Sequence, residues 1–336
     1  MRAGILCYNW VMATQPREPS EEAHKITYLR LSITDKCDLG CAYCAPYRAS
    51  VLHADSILTV SEIAILVRAF AHNGVTKVRL TGGEPLLRED VVEVVRRVVD
   101  TPGITTVGIT TNGIWLELMA KDLAKAGLQR INVSVDSLDH ETFRKITGQD
   151  VLDAVFRGIE AALGCGFEQV KLNVVVMRGV NEMEIPAIAD IARSLPVEVR
   201  FIEMMPLGHS TSQWQAMHFP AAEIRQALGD LEPLPYESGS SARRYRLADS
   251  QAVVGIISPM SEDFCGGCNR IRVTCCGRLK PCLRLPIEED IRPLLGKPDL
   301  ESRLNAMMSH LNRNKLSGLL ASCSAIQAEA MCAVGG

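Results

Sequence analysis

Aromatic residues are scarce in this chain of 336 residues, at 5%, while 47% of it is hydrophobic. With Val, Ile, Leu and Ala supplying most of the apolar mass, the composition suits buried parallel strands alternating with helices. Net charge is also lacking. The 36 basic and 39 acidic residues leave a balance of -3, which gives no reason to expect a nucleic acid or a membrane surface as partner, so any basic patch must be local. No apolar run reaches the eighteen or so residues of a membrane span, and Met1–Ala23 has no basic start followed by an apolar core; a cytoplasmic protein is expected. Repeats of fixed period and low-complexity tracts are absent.

Cysteine is plentiful. Twelve residues are too many to ignore, yet their scatter over a chain this long does not make a secreted disulfide framework. Six fall into two spacings, Cys37-Cys41-Cys44 and Cys265-Cys268-Cys282. The others, Cys7, Cys165, Cys275, Cys276, Cys323 and Cys332, read as ordinary buried or surface residues.

Short apolar runs at Tyr28–Ile33, Lys77–Leu80, Thr106–Thr110, Arg130–Val135, Val170–Val176 and Val197–Ile202 predict strands. Segments with helical periodicity lie between them: Val60–His72, Glu89–Val99, Leu116–Ala126, Val151–Leu163 and Ile185–Ser194. The expected fold is α/β, an incomplete (β/α)6 barrel like the TIM barrel, followed by a C-terminal module. Residues 1–25 are expected to be a flexible extension, 26–207 the partial barrel, and 208–336 the module. In a parallel barrel the polar or glycine-rich segments after the strands share one face, so Thr81–Glu84, Thr111–Gly113, Ser134–Asp136 and Glu203 should converge.

Three thiols with three and then two residues between them, following a strand, can wrap a compact metal centre. Structural zinc takes four protein ligands, whereas a four-iron, four-sulfur cluster held by three thiolates leaves one iron open to a small molecule. A zinc knuckle completed by a distant Cys or His uses the same spacing. In the second set, Cys275 and Cys276 lie near enough in sequence to complete a four-thiolate site. Planar guanidinium groups suit phosphate oxygens, and Arg30, Lys77, Arg79, Lys171, Arg200, Arg270 and Arg272, read as strand-end residues gathered at one mouth, could form a local anion site.

The loop at Cys37, Cys41, Tyr43 and Cys44 resembles the radical S-adenosylmethionine superfamily. The second cysteine pattern, with Asn269-Arg270-Ile271-Arg272 embedded, narrows the resemblance to the GTP 3',8-cyclase family of molybdenum cofactor biosynthesis. It extends from about Ile26 to Gly336 through RLTGGEPLLR, TTNG, VSVDSLD, ITGQD, RFIE and FCGGCNRIRV. The resemblance implies two 4Fe-4S clusters, on Cys37, Cys41 and Cys44 and on Cys265, Cys268 and Cys282, and makes the C-terminal module an iron–sulfur module closing the barrel mouth. It implies S-adenosylmethionine at Tyr43, Gly83, Ser134 and Met205, with Asp136 beside them, and GTP at Arg30, Lys77, Arg79, Thr110, Lys171, Arg200, Arg270, Ile271 and Arg272. Arg272 and the tail Gly335-Gly336 are implied to assist the reaction. The implied partners are an unidentified electron donor and, by pathway, cyclic pyranopterin monophosphate synthase; the family also includes homodimers.

The sequence departs from relatives at Gly40, where many carry Arg, and at Ala45, where Met is usual. The Cys275-Cys276 pair and the segment Leu283–Pro286 are also unusual. The competing readings are a peptide-modifying radical S-adenosylmethionine enzyme with an auxiliary cluster, and a zinc-binding module without catalysis.

Overall fold

The computed structural model describes residues 25–44, 56–207, 213–262 and 267–321. Strand and helix alternate through the first two thirds of the chain. The strands are β1 (Tyr28–Ser32), β2 (Lys77–Thr81), β3 (Thr106–Thr111), β4 (Arg130–Ser134), β5 (Gln169–Val176) and β6 (Glu198–Glu203). The helices are α1 (Val60–His72), α2 (Val91–Val99), α3 (Leu116–Lys125), α4 (His140–Thr147), α5 (Leu152–Gly164) and α6 (Ile185–Ser194). Each sequence-expected strand and helix is present, and α4 is an addition, a polar helix opened by Asp139, whose side chain accepts from the Thr142 amide.

Then come α7 (Trp214–Met217), α8 (Ala221–Leu228), β7 (Leu231–Pro233), β8 (Arg243–Leu247), β9 (Val253–Ile257), β10 (Arg270–Val273), β11 (Arg278–Lys280), β12 (Glu289–Asp290) and α9 (Leu300–Ala321). All twelve strands join one sheet, in the order β12-β11-β10-β1-β2-β3-β4-β5-β6-β9-β8-β7. From β10 through β1–β6 to β9 the neighbours are parallel. The six expected parallel strands are therefore eight, because the C-terminal segment adds one to each flank, and antiparallel strands continue the sheet outward.

Alternation along each strand sorts its side chains. Leu29 and Leu31, Ile131 and Val133, and Leu172 and Val174 are buried in a continuous core beneath the helices. Helix α2 shows how that core shapes the chain: valine is a poor helix former, yet Val91, Val94, Val95 and Val98 lie at helical spacing and are all buried. Burial of that face stabilises the helix. A capping box at Thr59 and Glu62 starts α1, and Glu62 is also paired to Arg292 at 3.1 Å, tying α1 to the C-terminal segment. Among the described residues no helix is long and apolar enough to cross a membrane.

Candidate active site

The other face of the sheet lines a cavity of about 650 Å³. Arg30, Arg79, Arg130, Asn132, Lys171, Asn173, Arg200 and Arg272 all reach it from alternate strand positions. Strand register puts several of them in rows. Arg272, Arg30 and Arg79 occupy one row on β10, β1 and β2, continued through Gly108 on β3 to Arg130 on β4. Neighbouring strands are about 4.8 Å apart, so like charges crowd along this row. Burial and the charges of Arg79 and Arg270 push the Arg30 guanidinium down to about 10. Burial alone would raise the Tyr28 phenol, but Arg79, which donates from Nε at 2.7 Å, and the Arg30 charge bring it to about 8. Gly108 makes room for this: a Cβ there would stand 2.9 Å from Arg79 Nη2.

A second row contains Thr110, Asn132 and Lys171. Lys171 is 8% exposed and lies 3.0 Å from the buried Glu198 carboxylate, which also holds Arg200 at 2.5 Å. Burial, then the Arg200 charge, lowers Lys171 to about 8. One carboxylate thus faces three cations, Arg244 lying 3.5 Å away, and the surplus positive charge needs an anion.

The basic residues are not at strand carboxyl ends, as expected from the sequence. Lys77, Arg270 and Arg130 open their strands, and Arg30, Arg79, Lys171, Arg200 and Arg272 are third in theirs. Lys77 is exposed at the amino-terminal edge. Ile271 faces away from the cavity: it is 1% exposed within the apolar core, so only its main chain is left to meet a ligand.

The carboxyl edge carries the thiol loop. Cys37, Cys41, Tyr43 and Cys44 line the cavity with Gly83, Ser134, Asp136 and Met205. No ladder holds this loop; neighbouring turns do. The Gly83 and Glu84 amides donate to Thr34 and Lys36 carbonyls at 2.8 and 2.7 Å, and a Cβ at Gly83 would stand 2.2 Å from the Lys36 carbonyl oxygen. Gly83 therefore admits the chain entering the thiol loop. Glu84 turns inward to accept from the Leu86 and Asn112 amides and the Thr111 hydroxyl, and burial raises it to about 7. Asn112 and Trp115 donate to Asp38 at 2.6 and 2.7 Å. The Gly40 and Ala42 amides donate to Thr147 and Ile146 at the end of α4, each at 2.9 Å.

Tyr43 donates to Asp136 at 2.7 Å, and the Val175 amide donates to the same carboxylate at 2.8 Å; burial nonetheless raises Asp136 to about 6. The Cys41 thiol is pushed well up by burial and by the nearby Asp136, Cys44 and Cys37. Thiols that oppose one another's ionisation at a buried site suit a positively charged centre, which would draw off their protons. Among the described residues no group of three Cys, His, Asp or Glu could hold a single metal ion.

Cys268 precedes β10 and Cys282 follows the antiparallel β11, so both reach the cavity from the amino-terminal edge. Arg270 Nε approaches Cys268 Sγ at 3.4 Å, and burial, then the Arg30 charge, drives the Arg272 guanidinium well down. Cys275 and Cys276 follow β10 at its other end, and neither lines the cavity. A strand of four residues spans about 13 Å, which separates them from Cys268. Burial pushes the Cys275 thiol up to about 12. Cys265, Gly335, Gly336 and Ala45 lie outside the described residues.

Sequence reasoning missed Arg130, Asn132, Arg244 and Arg284, all lining the cavity. For Arg130 and Asn132 the signal was there: they alternate with Ile131 and Val133.

Residues 31–192 match the model of the Radical SAM superfamily, and residues 197–319 match Molybdenum Cofactor Synthesis C. The chain is 37% identical to the GTP 3',8-cyclase of Clostridium acetobutylicum, over 88% of this chain and 96% of that one. It is 44% identical to that of Marinobacter nauticus, over 86% and 89%. The chain belongs to the GTP 3',8-cyclase family. The Pelotomaculum thermopropionicum member is 46% identical over 80% and 84% of the two chains. Among solved structures, Streptococcus suis SuiB bound to S-adenosylmethionine superposes with a TM-score of 0.60 at 14% identity, over 84% of this chain and 68% of that one, a likeness of fold.

Proposed function

We propose that the chain is a GTP 3',8-cyclase, converting GTP to 3',8-cyclo-7,8-dihydro-GTP in molybdenum cofactor biosynthesis. One observation carries the reading: a single cavity has three thiols at one edge, two at the other, and a row of arginines running across the sheet between strands. Cys37, Cys41 and Cys44 would hold one 4Fe-4S cluster, and Cys265, Cys268 and Cys282 the other, each with one corner left to a small molecule. When bound, the first cluster and S-adenosylmethionine would supply the means to take the hydrogen from C3' of GTP, a one-electron cleavage of the sulfonium giving methionine and a 5'-deoxyadenosyl radical.

The chain's own residues bind and orient. Tyr43, Gly83, Ser134 and Met205 would hold S-adenosylmethionine at the carboxyl edge, with Asp136 fixing the Tyr43 ring. Arg30, Lys77, Arg79, Thr110, Lys171, Arg200, Arg270 and Arg272, with the Ile271 main chain, would hold GTP. The guanidinium row faces the triphosphate, and Glu198 fixes Lys171 and Arg200 so that little side-chain freedom is lost when the anion arrives. The guanine would lie toward Cys268 and Cys282, and the Gly335-Gly336 tail, with Arg272, would assist the reaction.

The same reading curves residues 26–207 into an incomplete barrel and makes residues 208–336 the module that covers it; residues 1–24 of the expected extension lie outside the described residues. It includes a cytoplasmic location, an electron donor, a cyclic pyranopterin monophosphate synthase downstream, and a homodimer.

Anaerobic purification should give about eight irons with matching sulfide per chain. With reductant, S-adenosylmethionine and GTP, the protein should form 5'-deoxyadenosine and a cyclised nucleotide, and Cys41→Ser should form neither. Deoxyadenosine with no GTP-derived product, or zinc in place of iron, would overturn the reading.

A further inference from the structure

Four cavity-lining oxygens have no hydrogen-bond partner: Thr110 Oγ1, Asn132 Oδ1, Asn173 Oδ1 and Asn269 Oδ1. Asn132 is the most informative, because its residue is 8% exposed and a buried side-chain carbonyl oxygen without a partner is costly. Thr110 stands beside it on β3 and Lys171 beside it on β5. Lys171 does not satisfy it, being turned to Glu198. The missing partner is therefore a ligand group able to donate.

Phosphate oxygens at neutral pH accept and do not donate, so the triphosphate leaves this Oδ1 unpaired. A hydroxyl can donate, and a carboxamide, with one acceptor and two donors in a plane, can meet two adjacent hydroxyls at once. The position agrees. On β4 the row of Asn132 lies between that of Arg130, which continues the guanidinium row, and that of Ser134, at the carboxyl edge beside the thiol loop. If the proposed function holds, a reacting sugar must sit between its own phosphates and S-adenosylmethionine, which is the level of Asn132.

We propose that Asn132, with Thr110 beside it, reads the ribose hydroxyls of the substrate nucleotide and makes the site select ribonucleotides over 2'-deoxyribonucleotides. The adenosyl ribose of S-adenosylmethionine offers the same paired hydroxyls, and its reading by Asn132 is the competing source. The row favours the substrate: Asn132 shares it with Thr110 and Lys171, on the phosphate side of Ser134.

The test measures equilibrium binding of GTP, 2'-deoxy-GTP and S-adenosylmethionine to the anaerobic holoenzyme without reductant. The wild type should bind 2'-deoxy-GTP roughly tenfold or more weaker than GTP, the order expected when a buried polar group loses its partner. Asn132→Leu should lose most of that ratio by weakening GTP, with S-adenosylmethionine affinity unchanged. Asn132→Asp retains the acceptor and should retain the preference. Equal wild-type affinity for the two nucleotides, an unchanged ratio in Asn132→Leu, or a loss confined to S-adenosylmethionine would overturn the inference alone. Should Asn132→Leu fail to fold, the wild-type ratio and Asn132→Asp still decide. Absence of GTP binding by the wild-type holoenzyme would sink the proposed function as well.

Discussion

Arg79 holds its place through neighbours that leave it little choice. Nε donates to the Tyr28 hydroxyl at 2.7 Å, Nη1 to the Ile109 carbonyl at 3.0 Å, and Nη2 fills the space above Gly108. Gly108→Ala should therefore displace the guanidinium, a flexible side-chain end that yields more readily than the Arg130 carbonyl oxygen 3.1 Å from the added Cβ. A roughly tenfold or greater loss of GTP affinity is expected, the scale of one charge-assisted hydrogen bond at 1.5–3 kcal/mol, with S-adenosylmethionine binding unaffected; titration calorimetry checks both. The pH dependence has a definite sign. Lys171 and Tyr28 both titrate at about 8. As pH rises through that value the first loses a positive charge and the second gains a negative one, beside Arg79, Arg200 and Glu198. Both changes weaken an anion site, so kcat/KM for GTP should fall above about pH 8. Tyr28→Phe should remove part of the fall, and a flat profile up to pH 9 in the wild type would contradict the account.

Strands and helices follow local pattern closely, while the loop that matters most does not. The expected β4 and α2 are clear from period 2 and period 3.6, because each exposes a different face to a different environment. The thiol loop has no such period. It is placed by partners far along the chain: the β2 turn, Asn112 and Trp115 after β3, and the end of α4. Asp38 gathers two of these links next to Cys37. Asp38→Ala should loosen the loop with little change in global stability, and the expected result is faster loss of the first cluster's iron on air exposure than of the second's, followed by iron content and absorbance. Equal loss from both would show that Asp38 does not hold the loop. The sequence made the cysteines conspicuous, but could not show that Cys275 and Cys276 lie past the far end of β10 from Cys268.

At the scale of the molecule, the sheet is continuous across the expected boundary at 207/208. β10 pairs with β1 and β9 pairs with β6, so residues 26–207 on their own would expose both edges of a parallel sheet, along with apolar surface that Ile271, Val273, Val254 and Ile256 cover. Parallel sheets are rarely left open in this way. The fragment 26–207 is expected to aggregate or to lack a cooperative thermal transition, whereas the full chain unfolds with its two parts together; calorimetry of each decides. A soluble fragment with a sharp transition of its own would show that the two parts are separate folding units.

The sequence alone determined the strand–helix alternation, the two thiol spacings and the family, because these depend on residues close together in the chain and on side-chain chemistry that does not change with context. It did not determine which side chains face one another. The arginine row, the placement of Cys268 and Cys282 at the edge opposite the first thiol set, the turn of Ile271 into the core and the unpaired Oδ1 of Asn132 all follow from strand register and strand direction. Register is settled between segments dozens to hundreds of residues apart, where burying one face and leaving the other to a charged cavity outweighs any local preference, so only the tertiary structure could decide it.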